Sequence, residues 1–252
     1  MTTSNYTTIK IIGLSGPSSS GKSTLARLLR KVLPNSIILY EDDFYKPETE
    51  IPVNPDNGLQ DWDCPEAFDL VYLNQVLTEI KQSGGTIPAS FESKEETNTL
   101  GPSNVTDEEL AEVQRSIAVD VNTLFVIVDG IMLFNEGSPL IATPSATPDS
   151  ANPLDLALFV RAPYFDLLKR REARAGYVTL EGFWADPPGY FDDIVWPGYV
   201  KSHSYLFEDG QVDGPLTTQA ASEFGIRTPA QMNCTMLELL QWSVNEIKRS
   251  LL

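Results

Sequence analysis

Eight residues constrain this chain more than any others: Gly16-Pro17-Ser18-Ser19-Ser20-Gly21-Lys22-Ser23, which fit the pattern G-x-x-x-x-G-K-[ST]. By average residue usage such a match arises by chance in roughly one chain in a hundred of this length. Its setting sharpens it. The preceding run Ile9–Ser15 (IKIIGLS) is short, apolar and closed by glycine and serine, as a buried strand is. The following stretch, Ser23–Leu33, places Leu25, Leu28, Leu29 and Val32 on one helical face before Pro34 stops it. A strand, a glycine-bounded turn and a helix N-terminus together aim backbone N–H groups at phosphate oxygens. The pattern therefore predicts a nucleoside triphosphate site on Gly16, Ser18, Ser19, Ser20, Gly21, Lys22, Ser23 and Thr24. Lys22 would reach the β- and γ-phosphates and the Ser23 hydroxyl would bind Mg²⁺. The competing reading is a Gly/Ser-rich turn that only opens a helix.

The rest of the chain repeats the strand–helix alternation. Ser36–Tyr40 (SIILY), Leu124–Val128 (LFVIV) and Leu156–Val160 (LALFV) read as buried strands. Helical spacing marks Pro65–Gln82, Thr106–Val119 (opened by the capping sequence TDEE), Tyr164–Arg174, Ile194–Leu206 and Met236–Leu251. Right-handed crossovers then imply an α/β fold: a mainly parallel sheet covered by helices on both faces, in one domain of 252 residues. Polar insertions fall at about 84–118 and 137–153. A mobile loop is expected in the first, and disorder at the centre of GSPLIATPSATPDSANP in the second. Residues 208–231 show no clear pattern.

A net charge of −17 argues against a nucleic-acid partner, which needs a basic surface, and against a membrane surface. It suits a neutral or cationic small substrate. Two cysteines, Cys64 and Cys234, form no disulfide framework or metal quartet, so a reducing, cytoplasmic setting with access to the nucleus is expected. The single histidine, His203, removes Ser-His-Asp and multi-histidine metal chemistry, and it reads as a surface or helix residue. MTTSNYTTIK has no apolar signal core, and no apolar run reaches the roughly 20 residues of a membrane span.

Acidic residues complete the phosphate site. Asp129 ends the LFVIV strand, and Asp42 and Asp43 follow SIILY, so all three reach the sheet edge on which the phosphate loop opens. A carboxylate there can bind Mg²⁺ or accept a proton from an attacking hydroxyl. The competing reading has Asp42 and Asp43 cap the next turn. Arg161, Lys169, Arg170, Arg171 and Arg174 concentrate positive charge in an acidic protein, with Arg170 and Arg174 on one helix face. Such guanidinium groups would neutralise charge over the γ-phosphate; otherwise they form a solvated basic face.

The stretch LQDWDCPEAFD at 59–69 carries two readings. Asp63 and Glu66 fit a D-x-x-E capping box with Pro65 in the first turn, a plain helix start. A tryptophan between two aspartates also suits a flat, positively charged ring.

Taken in order, the phosphate loop, Asp42-Asp43-Phe44-Tyr45-Lys46-Pro47-Glu48, Trp62-Asp63, Val128–Asn135 (VDGIMLFN) and Pro188-Gly189-Tyr190-Phe191-Asp192 resemble the nicotinamide riboside kinases, a family of P-loop kinase fold. The likeness covers most of 9–206 and fades in the insertions and the last third. It implies that Asp42 is the proton acceptor and holds Mg²⁺ with Ser23, and that Asp42, Asp43, Phe44 and Tyr45 line the acceptor site. It implies that Trp62 stacks on the base while Asp63 binds the ribose hydroxyls. Arg170 and Arg174 match lid arginines that touch ATP, Arg171 one that reaches the substrate, and Tyr177 the second stacking aromatic. The lid would span about 163–190. Three departures stand out: Trp62 replaces an expected tyrosine, Asp129 replaces a glutamate and would reach Mg²⁺ through water, and one extra residue separates Arg174 from Tyr177.

The resemblance implies ATP-dependent, Mg²⁺-assisted phosphorylation of the 5′-hydroxyl of nicotinamide riboside; a monomer is expected, and the choice between ATP and GTP stays open. Lys22, Asp42 and Asp129 would carry the catalysis. The pyridinium cation over an indole face would gain about 0.5–2 kcal/mol. Two rivals remain: a uridine/cytidine kinase, which would read a pyrimidine edge by hydrogen bonds, and a nucleotide switch that needs no small acceptor.

Overall fold

The computed structural model describes residues 6–89, 91, 103–141, 152–174, 177–179 and 182–252, with only the backbone included at 177–179 and 182–184. Among them the strands are β1 (Thr8–Ser15), β2 (Ser36–Tyr40), β3 (Thr123–Asp129), β4 (Leu156–Phe159), the hairpin β5 (Tyr177–Thr179) and β6 (Gly182–Trp184), and β7 (Ile226–Arg227). The main sheet has order β2-β3-β1-β4-β7, and every pairing in it is parallel. Tyr40 pairs with Asp129, and Ser15 with Phe159, so these strands end at a common edge.

Alternation along each strand builds two cores. Ile11, Leu39, Val126, Val128, Ala157 and Phe159 face one side, against α2 (Leu70–Gln82) and α5 (Trp196–His203). Ile12, Leu14, Phe125, Ile127, Leu156 and Leu158 face the other, against α1 (Lys22–Val32), α3 (Asp107–Arg115) and α7 (Met236–Leu251). Successive side chains of a strand point to opposite faces, so a strand covered on both sides must be apolar throughout. The predicted stripe of α1 (Leu25, Leu28, Leu29 and Val32) is buried in that second core. Leu29→Ala would cost about 2–5 kcal/mol. A third, smaller cluster joins Leu167 of α4 (Tyr164–Glu172) to Tyr190, Phe191, Ile194 and Val195. It reaches Leu59 and Trp62 and so connects α4 and the 190–195 stretch to the loop before Pro65.

Several expectations change in detail. The helix expected over Pro65–Gln82 is broken: Pro65–Ala67 is a single 3₁₀ turn, and α2 begins at Leu70. Asp63 caps nothing; Asp69 does, its Oδ1 accepting from Tyr72 N at 2.9 Å. Tertiary pairing overrides the local capping pattern. Phe68 is extended, its ring stacks on Tyr45 at 4.1 Å, and Lys46 N and Asp69 N bond to Ala67 O and Phe44 O. The helix expected at Ile194–Leu206 is three pieces: a π turn at Phe191–Val195, α5, and a 3₁₀ turn at Ser204–Leu206. Pro197, in the first turn of α5, has no N–H to continue the preceding ladder. Thr106 does form the capping box, with Glu109, but α3 ends at Arg115. The unpatterned stretch 208–231 hides α6 (Thr218–Ser222) and the edge strand β7, both too short for periodicity to register. His203 is a helix residue, the last of α5, but it is fully buried rather than on the surface, bonded through Nδ1 to Tyr199 O at 3.1 Å. Of the loop expected in the first part of 84–118 and the disorder expected at the centre of 137–153, positions 90, 92–102 and 142–151 lie outside the described residues.

Candidate active site

The phosphate loop is held from below. Gly16 has φ 140°, and a Cβ there would sit 2.0 Å from Val160 O, so this contact admits only glycine. Val160 N donates to Ser15 O at 2.8 Å on the same strand pair, and Ser20 N closes the loop on Pro17 O at 3.2 Å. Lys22 opens α1, 5% exposed, with Nζ donating to Pro17 O at 2.9 Å. Burial lowers its pKa, opposed by the carboxylates of Asp129, Asp42 and Glu41. Ser23 and Thr24 follow in the first turn, both half-buried.

The expected acids meet Lys22 at the sheet edge. Asp129 ends β3 and is buried, with the Ser23 hydroxyl donating to its carboxylate. Burial raises the Asp129 pKa, and Lys22 opposes it. Asp42 lies in the 3₁₀ turn Glu41–Phe44 that follows β2. Burial, then the adjacent Asp129 charge, raises its pKa to about 7, close to what a general base requires. Asp43 is half-buried beside it.

Aromatics gather around Trp62 and Asp63, where the acceptor is expected. Tyr45 meets Trp62 edge to face at 5.4 Å and donates to Trp62 O at 3.1 Å. Trp62 N donates to the Tyr190 hydroxyl at 3.1 Å, and Tyr190 donates onward to Gln60 O at 2.9 Å. The tryptophan backbone is therefore clamped from both sides while its ring stays half-buried. Phe44, expected to line the acceptor site, sends its ring into the core and stacks on Phe91 at 5.3 Å.

Arg171 ties these parts together. From α4, 6% exposed, it bonds Asp63 through Nη1 and Nη2 at 3.2 and 3.3 Å, Asp186 through Nε and Nη2 at 2.6 and 3.1 Å, and Ser18 Oγ through Nη1 at 2.8 Å. Its guanidinium also lies 5.7 Å from the Tyr190 ring centre. Burial pushes the Asp63 carboxyl up, and Arg171 opposes the shift. Arg170 is exposed and reaches Ser19 O at 3.4 Å. Arg174, also exposed, acts on the charges of Lys22, Asp42 and Asp129.

Arg161 leaves the expected basic group: Nη1 donates to Val212 O and Gly214 O at 3.1 and 2.6 Å, and its guanidinium lies 5.0 Å over Phe207. It braces the C-terminal region instead. Tyr177 starts β5, paired with Trp184, and its side chain lies outside the described residues.

Three residues of the site carried no assignment in the sequence reading. Tyr190 stood inside the quoted PGYFD motif. Asp186, four positions earlier, is recognisable only once the fold places it against Arg171. Glu41, just before the DDFY motif, is 0% exposed, and its Oε2 accepts from Ile131 N at 2.6 Å and Met132 N at 2.9 Å. Burial raises its pKa to about 8, only partly offset by those two bonds.

The residues fit a triphosphate and a hard divalent cation. Ser19 Oγ, Ser20 Oγ and Asp129 Oδ1 are buried with no hydrogen-bond partner, beside Ser23 and Lys22. Among the described residues no three His, Cys, Asp or Glu groups form a closed metal site. An open set of one or two carboxylates and a hydroxyl suits Mg²⁺, which keeps water and phosphate oxygens as its other ligands. No described helix is long and apolar enough to cross a membrane.

No family model matches the chain. Individual proteins do. The nicotinamide riboside kinase of Schizosaccharomyces pombe is 36% identical over 242 residues, covering 96% of this chain and 97% of that protein. The one from Saccharomyces cerevisiae is 38% identical over 218 residues, 82% of each. Nicotinamide riboside kinase 1 of Homo sapiens is 31% identical, over 76% of this chain and 75% of its own length. With a phosphate loop, strand-end acids and an aromatic–aspartate pair on one sheet edge, and relatives that match along nearly their whole length, the chain belongs to the nicotinamide riboside kinase family.

Proposed function

We infer that the chain transfers the γ-phosphoryl group of ATP to the 5′-hydroxyl of nicotinamide riboside, giving nicotinamide mononucleotide for NAD biosynthesis. The carrying observation is the convergence of Asp42, Lys22 and Asp129 at one sheet edge, with Trp62 and Asp63 on the adjoining loop. Asp42 takes the proton of the 5′-hydroxyl as its oxygen attacks the γ-phosphorus. The bond to the β,γ-bridging oxygen breaks and ADP leaves. Lys22 follows the charge that builds on the β- and γ-phosphate oxygens, with Arg170 and Arg174 approaching from the lid. Ser23, Asp42 and Asp129 would hold Mg²⁺, which when bound neutralises phosphate charge. On the acceptor side Trp62 offers its face to the pyridinium ring, and Asp63 and Arg171 meet the ribose.

ADP release measured separately with nicotinamide riboside, uridine, cytidine and adenosine tests this reading. Nicotinamide riboside should give the fastest turnover. Uridine turnover well above it would overturn the substrate assignment, and equal ADP release with no acceptor would turn the reading toward a nucleotide switch.

A further inference from the structure

The two acids of the reaction stand on neighbouring strands: Asp129 ends β3, and Asp42 lies two residues past Tyr40, its register partner on β2. Beyond that point the sheet no longer fixes their spacing, because both strands have ended. Gly130 N still reaches Leu14 O at 3.1 Å, but Ile131 N and Met132 N leave the ladder. Both turn onto one atom, Glu41 Oε2, at 2.6 and 2.9 Å. Glu41 is the residue immediately before Asp42, so this carboxylate bolts the loop that follows Asp129 to the turn that carries Asp42. Gly130 leaves it room: a Cβ there would lie 2.6 Å from both Cβ and Oε2 of Glu41.

We propose that Glu41 is a positioning residue for phosphoryl transfer, its Oε2 locking the loop after β3 to the turn after β2 so that Asp42 and Asp129 keep the spacing the reaction needs. Glu41 is fully buried, and in this proposal it acts through Asp42 and the loop after Asp129. It supplies one accepting oxygen to two backbone donors that the sheet has released, and buried donors of this kind must be satisfied by something. Small misplacements of reacting groups are expensive, so the effect should fall on turnover rather than on binding. Because an amide oxygen can accept the same two bonds, Glu41→Gln keeps the lock. Glu41→Ala and Glu41→Leu remove it, the second while filling the space. Gly130→Ala attacks it from the other side by displacing the carboxylate.

The inference rests on the kinase reading, and the measurement is made with whichever acceptor the wild-type enzyme turns over fastest. A wrong substrate assignment then shows in the wild type, and a wrong role for Glu41 only in the variants. Steady-state kinetics are normalised to the fraction of protein that binds ATP. Glu41→Ala and Glu41→Leu should lose about tenfold or more in kcat, with both KM values within about threefold of wild type. Glu41→Gln should recover most of that loss. Gly130→Ala should lower kcat as well, and combining it with Glu41→Ala should add little, since both break one contact. Wild-type kcat in Glu41→Ala, a Glu41→Gln enzyme as slow as Glu41→Ala, or additive losses in the double variant would each overturn the proposal. Should the Ala and Leu variants not fold, Gly130→Ala with wild-type kcat would overturn it by itself.

Discussion

Arg171 Nη1 lies 2.8 Å from the hydroxyl of Ser18, a phosphate-loop residue 153 positions earlier in the chain. The same guanidinium holds Asp63 beside Trp62 and Asp186 beyond α4, so one side chain ties together the phosphate loop, the Trp62–Asp63 loop and the segment after α4.

Replacing Arg171 should separate charge from geometry. Arg171→Met leaves the Asp63 and Asp186 carboxylates without their cation. Breaking a buried pair in this way costs about 3–5 kcal/mol, visible as a lower denaturation midpoint. Arg171→Lys keeps the charge but cannot form two paired carboxylate contacts and a bond to Ser18 together. It should fold better than the methionine variant yet still lose kcat/KM for the acceptor. A lysine variant with wild-type acceptor kinetics would reduce Arg171 to a source of charge.

Trp62→Ala should raise KM for nicotinamide riboside while leaving KM for ATP near wild type. Loss of a cation–π contact of about 0.5–2 kcal/mol corresponds to a factor of roughly two to thirty. Trp62→Tyr, which keeps an aromatic face, should sit between the two. Equal weakening of both substrates would make Trp62 a purely structural residue, held by Tyr45 and Tyr190.

Asp42→Asn should lower kcat by about 10²–10⁴ while ATP still binds, as removing a general base does. The base must be unprotonated to work, so activity is lost as pH falls through its pKa. Burial and Asp129 raise that pKa to about 7. The acid limb of kcat/KM for ATP, which reports the free enzyme, should therefore lie near neutrality instead of near 4. Rate profiles between pH 5 and 9 check this, and a limb near pH 4 would remove Asp42 as the titrating group.

His203 predicts a pH-dependent stability. Burial lowers its pKa from 6.5 to about 4, so between those values the unfolded chain binds a proton that the folded chain does not. The stabilisation is complete above pH 6.5 and is lost as pH falls toward 4, by on the order of 3 kcal/mol. Thermal melts of wild type and His203→Phe at pH 4.5 and 7.5 should show a larger acid-side loss in the wild type.

Much of this site was legible because its parts are local. The phosphate loop, the apolar runs at Ile9–Ser15 and Leu124–Val128, and the acids that end or follow strands each declare themselves within a few residues. Parallel pairing then brings them to one edge. The failures are non-local. Asp63 and Glu66 have the spacing of a capping box, but Phe68 pairs beside Tyr45 instead, and the helix starts later, at Leu70, with Asp69 as its cap. Arg161 sits in a basic run yet serves the carbonyls of Val212 and Gly214, about fifty positions away. Asp186 and Glu41 act through partners that no short window contains. The aromatic–aspartate pair survives with a changed support: Trp62 and Asp63 are placed by Tyr45, Tyr190 and Arg171, and not by a helix cap.

The contact of Gly16 with Val160 carries a mechanical consequence. Val160 is the last residue before the segment that leads into α4, and its carbonyl is pressed against the floor of the phosphate loop. The next residue, Arg161, is itself tied to Val212 and Gly214, so the chain entering α4 is anchored twice in succession. The start of α4 and the phosphate loop thus share one support. Arg170 and Arg171, on the helix that follows, therefore meet Ser19 and Ser18 of a loop anchored by that same carbonyl.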